Sequence, residues 1–347
     1  MSVKHFILSK ESPAYTWVTP AKAIWVDSAQ ITHKREVLPQ RTTGVGRGLT
    51  YNVLGAKPVN GPVSMKWWRT VVGTIFSTFL RDNAITNVAT GVYDHGLLYD
   101  DTVSLLALSI QQQYSAAVAI NVLGAVVNAV TLSAATKEEA KLDFDFIAKD
   151  EAKAGGVWDY DGVTASPAVI SITNQYPTLS RPLMFYDSQV AFGGTPAFND
   201  TTNKLSVGSS TTSSKVRNLS IALNHNLDAD AYGLVQDPTL QEISPGDRSI
   251  EVSFDVSWTD YSLTFYDAAR SGTPMALTWN LIGPLIDATY RSEAHIVIPS
   301  LYINPSDLPP LDGDNAGKTQ SISGVALVDT VTSKDFGLWL RTSEATL

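Results

Sequence analysis

The chain has 347 residues, more than twice a typical single-domain length, and 44% of them are hydrophobic, enough to bury two cores. Charged residues make up only 17%, and 25 Lys and Arg against 34 Asp and Glu give a net charge of −9, the wrong sign for gripping nucleic acid through its phosphates. The absence of cysteine excludes a disulfide framework, thiol catalysis and thiolate metal sites, and leaves the compartment open.

Met1 to Tyr15 carries Lys4, Lys10 and Glu11 and no apolar run of signal-peptide length, so export by that route is not expected. Gln30 to Thr50 holds Lys34, Arg35, Arg41 and Arg47 against Glu36 and ends in Gly44-Val45-Gly46-Arg47-Gly48: a basic, flexible stretch in an acidic chain. Trp68, Val71, Val72, Ile75, Phe76, Phe79 and Leu80 recur at helical spacing, which predicts an amphipathic helix over Met65–Arg81 laid on a sheet. The uncharged window Ser115–Thr136 is long enough for a membrane span. However, it is mostly Ala and Val, is broken by Asn121, Gly124 and Asn128, and reads as two strands joined near Leu123-Gly124.

Further strands are expected near Val103–Gln111, Lys141–Ala148, Ala168–Thr173, Lys215–Leu223, Ser249–Trp258, Met275–Leu281, His295–Ile303 and Thr319–Asp329, all rich in Val, Ile, Thr and aromatics. Phe198–Ser214 reads as a mobile connector or hairpin tip, and Asn304–Lys318 as a loop of the same kind. A second helix is expected from Asp260, as N-cap, to Arg270, closed by Gly272. The chain is therefore mainly β.

Three echoes recur in the same order. Asn128-Ala129-Val130-Thr131-Leu132 is matched by Asn218-Leu219-Ser220-Ile221. Leu142-Asp143-Phe144-Asp145-Phe146 is matched by Val252-Ser253-Phe254-Asp255-Val256. Asp150 to Gly155 is matched by Asp267 to Gly272. Together they predict a duplicated unit, the second copy carrying a longer connection through Asp228–Asp247.

This order of strand ending in Asn, alternating Phe-Asp strand and short helix closed by Gly resembles the major tail tube protein of long-tailed bacteriophages, most clearly over Val103–Gly156 and Ser214–Pro299. The resemblance implies two tandem β-barrel or sandwich domains with flanking short helices, 1–185 and 186–347. It implies copies joined sheet edge to sheet edge in rings, and rings stacked into a tube in the virion, assembled in the host cytoplasm. Members with one such domain form hexameric rings, so two domains per chain imply a trimeric ring of six pseudo-equivalent units. The implied partners are the chain itself, tape measure and tail terminator or tip proteins, and DNA only in transit, with no membrane and no cofactor.

Motifs for chemistry are missing: there is no phosphate-binding Gly-x-x-x-x-Gly-Lys loop, no His-Glu-x-x-His and no Gly-x-Ser-x-Gly. His5, His33, His95, His225 and His295 have no metal-ligand spacing. The loops Asp228–Gly233 and Asp312–Gly317 lack the fifth and twelfth ligands of a calcium loop. The expectation is a structural, non-enzymatic protein. The rival is a carbohydrate-binding or carbohydrate-cleaving β-sandwich, suggested by eight Trp and thirteen Tyr.

Two sets of residues are candidates for the work of assembly. Lys34, Arg35, Arg41 and Arg47 are expected to contact a neighbouring subunit or ring, or to form an idle solvated loop. Asp143, Asp145, Glu251 and Asp255 alternate with apolar residues, and the interior of the tube is preferred for them over the exterior or a contact between rings, since a water-filled channel tolerates closely spaced carboxylates.

Overall fold

The computed structural model describes residues 5–35, 37–40, 51–68, 72–171, 181–213, 215–232, 237–257, 260–305 and 319–347. The first half of the chain forms β1 (His5–Lys10), β2 (Lys22–Ile24), β3 (Ser28–Ala29), β4 (Thr32–His33), β5 (Val37–Gln40), β6 (Tyr51–Leu54), β7 (Val59–Lys66), α1 (Val72–Leu80), β8 (Arg81–Ala89), β9 (Val92–Tyr99), β10 (Leu108–Ser115), β11 (Val118–Ala135), β12 (Lys141–Ala148) and β13 (Asp150–Lys153). The second half forms β14 (Ser188–Phe192), β15 (Thr195–Asn199), β16 (Lys204–Gly208), β17 (Thr211–Thr212), β18 (Val216–Asn224), β19 (Ser249–Ser257), α2 (Asp260–Ser271), β20 (Met275–Leu285), β21 (Arg291–Ile303), β22 (Thr319–Ala326) and β23 (Gly337–Thr342).

The protein is a layered β-sandwich with two short helices, and its sheets do not close into barrels. One layer runs β3/β4–β7–β12–β11–β18–β19–β22, all antiparallel. Period-two alternation explains it: Leu142, Phe144 and Phe146 of β12 and Val252, Phe254 and Val256 of β19 are buried, while the residues between them face outward. The other layer comprises β2–β1–β10–β11–β13 and β17–β14–β20–β21–β23–β9–β8. Apolar side chains from both halves form a continuous core between the layers.

Two long strands pass from one layer to the other. The expected pair of strands around Gly124 is one strand, β11, whose start pairs with β10 and β13 and whose end pairs with β12 and β18. Gly124 marks the crossing with φ +65°, and a Cβ there would sit 2.6 Å from the Tyr15 ring. Its N–H donates to the buried Glu11 carboxylate (2.8 Å). In β21 the start likewise pairs with β20 and β23, and the end with β22.

These are parts of one pairing scheme that occurs twice. The ladders β2·β1, β1·β10, β10·β11, β11·β13, β11·β12, β12·β7 and β7·β3/β4 are matched in chain order by β17·β14, β14·β20, β20·β21, β21·β23, β21·β22, β22·β19 and β19·β18. Even a register shift is shared: Leu108↔Ala125 then Ile110↔Val122 in one, Met275↔Leu301 then Leu277↔Ile298 in the other. A helix follows β7 in the first and β19 in the second.

The scheme corrects the sequence echoes. It matches β12 with β22 and β7 with β19, so Phe144 of β12 and Phe254 of β19 are not counterparts. Asn128 and Asn218 lie on β11 and β18, which are antiparallel neighbours. The third echo compares a strand, β13, with a helix, α2. Alternating Phe-Asp is a generic signature of any half-buried strand, which is why it recurred at unrelated places.

The helices also differ from expectation. Met65 belongs to β7 and Arg81 opens β8, so α1 is shorter than Met65–Arg81; residues 69–71 lie outside the described set. Moreover, α1 is buried on every side, including Thr74, Ser77 and Thr78. Its core face packs Phe76 against Phe144 and Trp67, with ring centroids 5.8 and 6.0 Å apart. The polar face is covered by the C-terminus: Gly73 lies against Leu347, and Lys22 Nζ joins Thr74 Oγ1 (3.1 Å) to the Thr346 carbonyl (3.0 Å). The second helix spans Asp260–Ser271, close to expectation, with Gly272 after it at φ +68°.

Candidate functional site

The outward face of the first layer is built almost entirely from short side chains. In register across six strands lie Lys66, Lys141, Ser133, Ser220, Ser253 and Ser323. The next row toward the other end holds Ser64, Asp143, Thr131, Ala222, Glu251 and Val325. Asp145 lies between Pro62 and Ala129, and Asp255 between Asn218 and Ser321.

The four predicted acidic residues thus share one face of one sheet. None of them forms an ion pair among the described residues. Asp255 accepts hydrogen bonds from Asn218 Nδ2 and Ser321 Oγ (both 2.6 Å), and Asp145 accepts a longer one from Asn128 Nδ2 (3.3 Å). Lys66 and Lys141 are neutralised at the β11–β12 turn by Glu139 and Glu138 (2.8 Å each), which raise the pKa of both lysines. The carboxylates therefore set the sign of this face. Its grooves are open and of about 340 and 270 Å³, lined by residues such as Ser133, Ser220, Ser253 and Ser323.

The basic stretch leaves this sheet at its β7 end. Between β4 and β7 it forms a hairpin in which β5 pairs with β6, Val37 opposite Leu54. Arg41 and Arg47 lie outside the described residues. Lys34 is exposed, whereas Arg35 is held at the base, with Nε on the Gly55 carbonyl (3.4 Å) and Nη1 3.9 Å from Asp159.

Beside it is a cluster that sequence reading missed. The ammonium of Lys57, 3% exposed, contacts Asp150 Oδ1 (2.8 Å), the Glu151 carbonyl (2.6 Å) and Asp159 Oδ2 (2.8 Å). Asp150 also accepts the N–H groups of Glu151, Asp159 and Tyr160, and His33 Nδ1 pairs with Glu151 Oε1. Both stems of the hairpin are thereby fixed to β13 and the loop after it. With its charge compensated inside the protein, Lys57 serves as an anchor.

A family model described as phage tail tube protein matches residues 12–326. The chain belongs to the phage tail tube protein family. No curated protein matches it. Membership of this tail tube family gives the chain a structural role in the phage tail. Trp67, Trp158, Trp279 and Trp339 fill the interior and do not form an exposed platform for a sugar. No cluster among the described residues could hold a metal ion, and Asp312–Gly317 lies outside them. No described helix is long and apolar enough to cross a membrane.

Proposed function

We propose that this tail tube protein assembles into rings of three chains, each chain supplying two pseudo-equivalent units, 1–185 and 186–347, and that the rings stack into a tube through which DNA leaves the virion. The carrying observation is the pairing scheme that occurs twice, joined by β11·β18 in one layer and β9·β23 in the other. Repeating the first join between copies continues the sheet around a ring, and an edge left open on a monomer becomes the binding site of its neighbour.

In this reading the face carrying Asp143, Asp145, Glu251 and Asp255 lines the channel. Short side chains leave the bore open, and unpaired carboxylates keep passing phosphates from sticking. The chain works by shape and charge, without catalysis, in a tube assembled in the host cytoplasm with tape measure, terminator and tip proteins as its partners. Electron microscopy and native mass spectrometry of the purified chain test this: rings of three chains with six lobes are expected, and chains that stay monomeric at high concentration refute it.

A further inference from the structure

The interface between the two halves is a template for a contact between copies. In the first half, Val126↔Ile147 follows the shared register shift, and together with Ala107 this pair forms a small apolar cluster. Leu227, Leu240 and Ile243, all from the segment between β18 and β19, cover it. The same position in the second half is held by Tyr302↔Val325, one residue past Leu301 as Val126 is one past Ala125. There the pair is only half-buried, and it continues into Leu327 and Val328, 45% and 61% exposed.

The counterpart of the covering segment can also be located. Ser28, Ala29, Thr32 and His33 pair with β7 as Asn218, Leu219, Ala222 and Leu223 pair with β19, and Ile31 and Ile221 are both fully buried. The segment between β18 and β19 thus corresponds to the hairpin between β4 and β7. That hairpin carries an apolar cross-strand pair, Val37 and Leu54, 50% and 56% exposed.

We propose that the β5–β6 hairpin of one copy lies on the Tyr302, Val325, Leu327 and Val328 patch of a second copy, repeating between chains the cover that residues 225–248 provide within one. Four exposed apolar side chains are removed from water at once. The contact is heterologous, so it propagates from copy to copy around a ring. It rests on the self-assembly proposed above and names the surfaces that meet.

Because the chain has no cysteine, engineered cysteines report only the intended contact. Leu54→Cys and Leu327→Cys chains are mixed and oxidised, and a short bis-maleimide linker is used in parallel to remove the dependence on disulfide geometry. A covalent dimer is expected from the mixture and from neither variant alone. Val37→Asp with Leu54→Asp should retain the wild-type circular dichroism and lower ring formation at least tenfold. Wild-type rings without cross-linking in the mixture, or undiminished rings from the aspartate variant, overturn the docking and leave self-assembly standing. Closure of the Leu54→Cys, Leu327→Cys double variant within one diluted chain also overturns it. A wild-type chain that forms no rings overturns both.

Discussion

The two halves share a pairing scheme and differ in what covers it. In the first half, α1 is sealed on one side by the core and on the other by Leu347, and the apolar cluster at Val126 and Ile147 lies under Leu227, Leu240 and Ile243. In the second half, α2 buries Phe265 against Phe192 and Phe254, with centroids 4.8 and 5.2 Å away, yet leaves Arg270 and Ser271 exposed, and the patch at Tyr302 and Val325 stays open. The first copy of the scheme is completed by its own chain. The second is incomplete at the positions where the first is covered, and in a repeating assembly such a difference marks where the next subunit belongs.

The largest effect should come from the anchor of the hairpin in the first half; at the matching position of the second half Arg248 is held by Asp335 and Asp101. Lys57→Met removes the cation from Asp150, 0% exposed, and strands a buried carboxylate; a loss of about 3–5 kcal/mol in denaturant unfolding is expected. Asp159→Asn keeps the Lys57–Asp150 pair and should cost about 1 kcal/mol. Equal losses for the two variants would show that the cluster does not act as a buried anchor. Next comes the seal on α1. Deleting residues 344–347 removes Leu347 from Gly73, the Glu344 partner of Lys22 (3.4 Å) and the Glu344 carbonyl from His95 Nε2 (2.8 Å), and about 2–4 kcal/mol should be lost.

The residue that opens each covering segment sharpens the contrast through pH. Where the first half has Arg35 on Asp159, the second has His225, 4% exposed and stacked on Phe79 with centroids 4.0 Å apart and planes 8° apart. Burial, then the positive charges of Arg81 and Arg248, push the His225 pKa down from 6.5 to about 4. The folded protein keeps this ring neutral while the unfolded chain protonates it below 6.5. Its contribution is therefore complete above pH 6.5 and falls as the pH drops toward 4, by about 3 kcal/mol in all. Urea midpoints at pH 7 and 4.5 should separate more in the wild type than in His225→Phe. Equal separations would place the acid sensitivity elsewhere.

How much of this was legible depended on whether the signal was local. Lys141–Ala148 has the predicted limits, and Ser249–Ser257 and Asp260–Ser271 nearly so, because period-two alternation and a Gly stop are written in adjacent residues. Residues 168–171 form no strand, whereas Phe198–Ser214, read as a connector or hairpin tip, does hold the turn between β15 and β16, together with β16 itself. The pairing scheme that occurs twice is not marked by the residues of the three echoes. The matched positions, such as Met65 with Val256, Phe144 with Ile322 and Leu142 with Gln320, are not alike in residue type, so only hydrogen-bonded register identifies them. The Lys57 cluster joins residues 93 positions apart, which no local pattern encodes. By contrast, the shared face of Asp143, Asp145, Glu251 and Asp255 followed from alternation alone once β12 and β19 lay in one sheet.

The carboxylate face spans both halves, and the smallest change in stability is expected there. Asp143→Asn and Glu251→Gln should each alter unfolding free energy by no more than about 0.5 kcal/mol, because both side chains are exposed and without an ion pair among the described residues. Asp255→Asn should cost about 1 kcal/mol, since its carboxylate accepts from both Asn218 and Ser321. With folding nearly unaffected, charge reversal of all four residues to Lys isolates what the face does in an assembly. If it lines a channel, tubes of the reversed protein should retain DNA inside in a salt-dependent manner, with retention falling steeply as counterion release weakens at higher salt. Wild-type tubes should retain none at any salt. If the reversed residues lie between rings, the variant should instead form rings that no longer stack, and electron microscopy separates that outcome from a lined channel. Reversing Asp143 and Asp145 alone, then Glu251 and Asp255 alone, tests whether both halves face the bore: each pair should give intermediate retention, and a pair whose reversal leaves retention at zero does not line the channel.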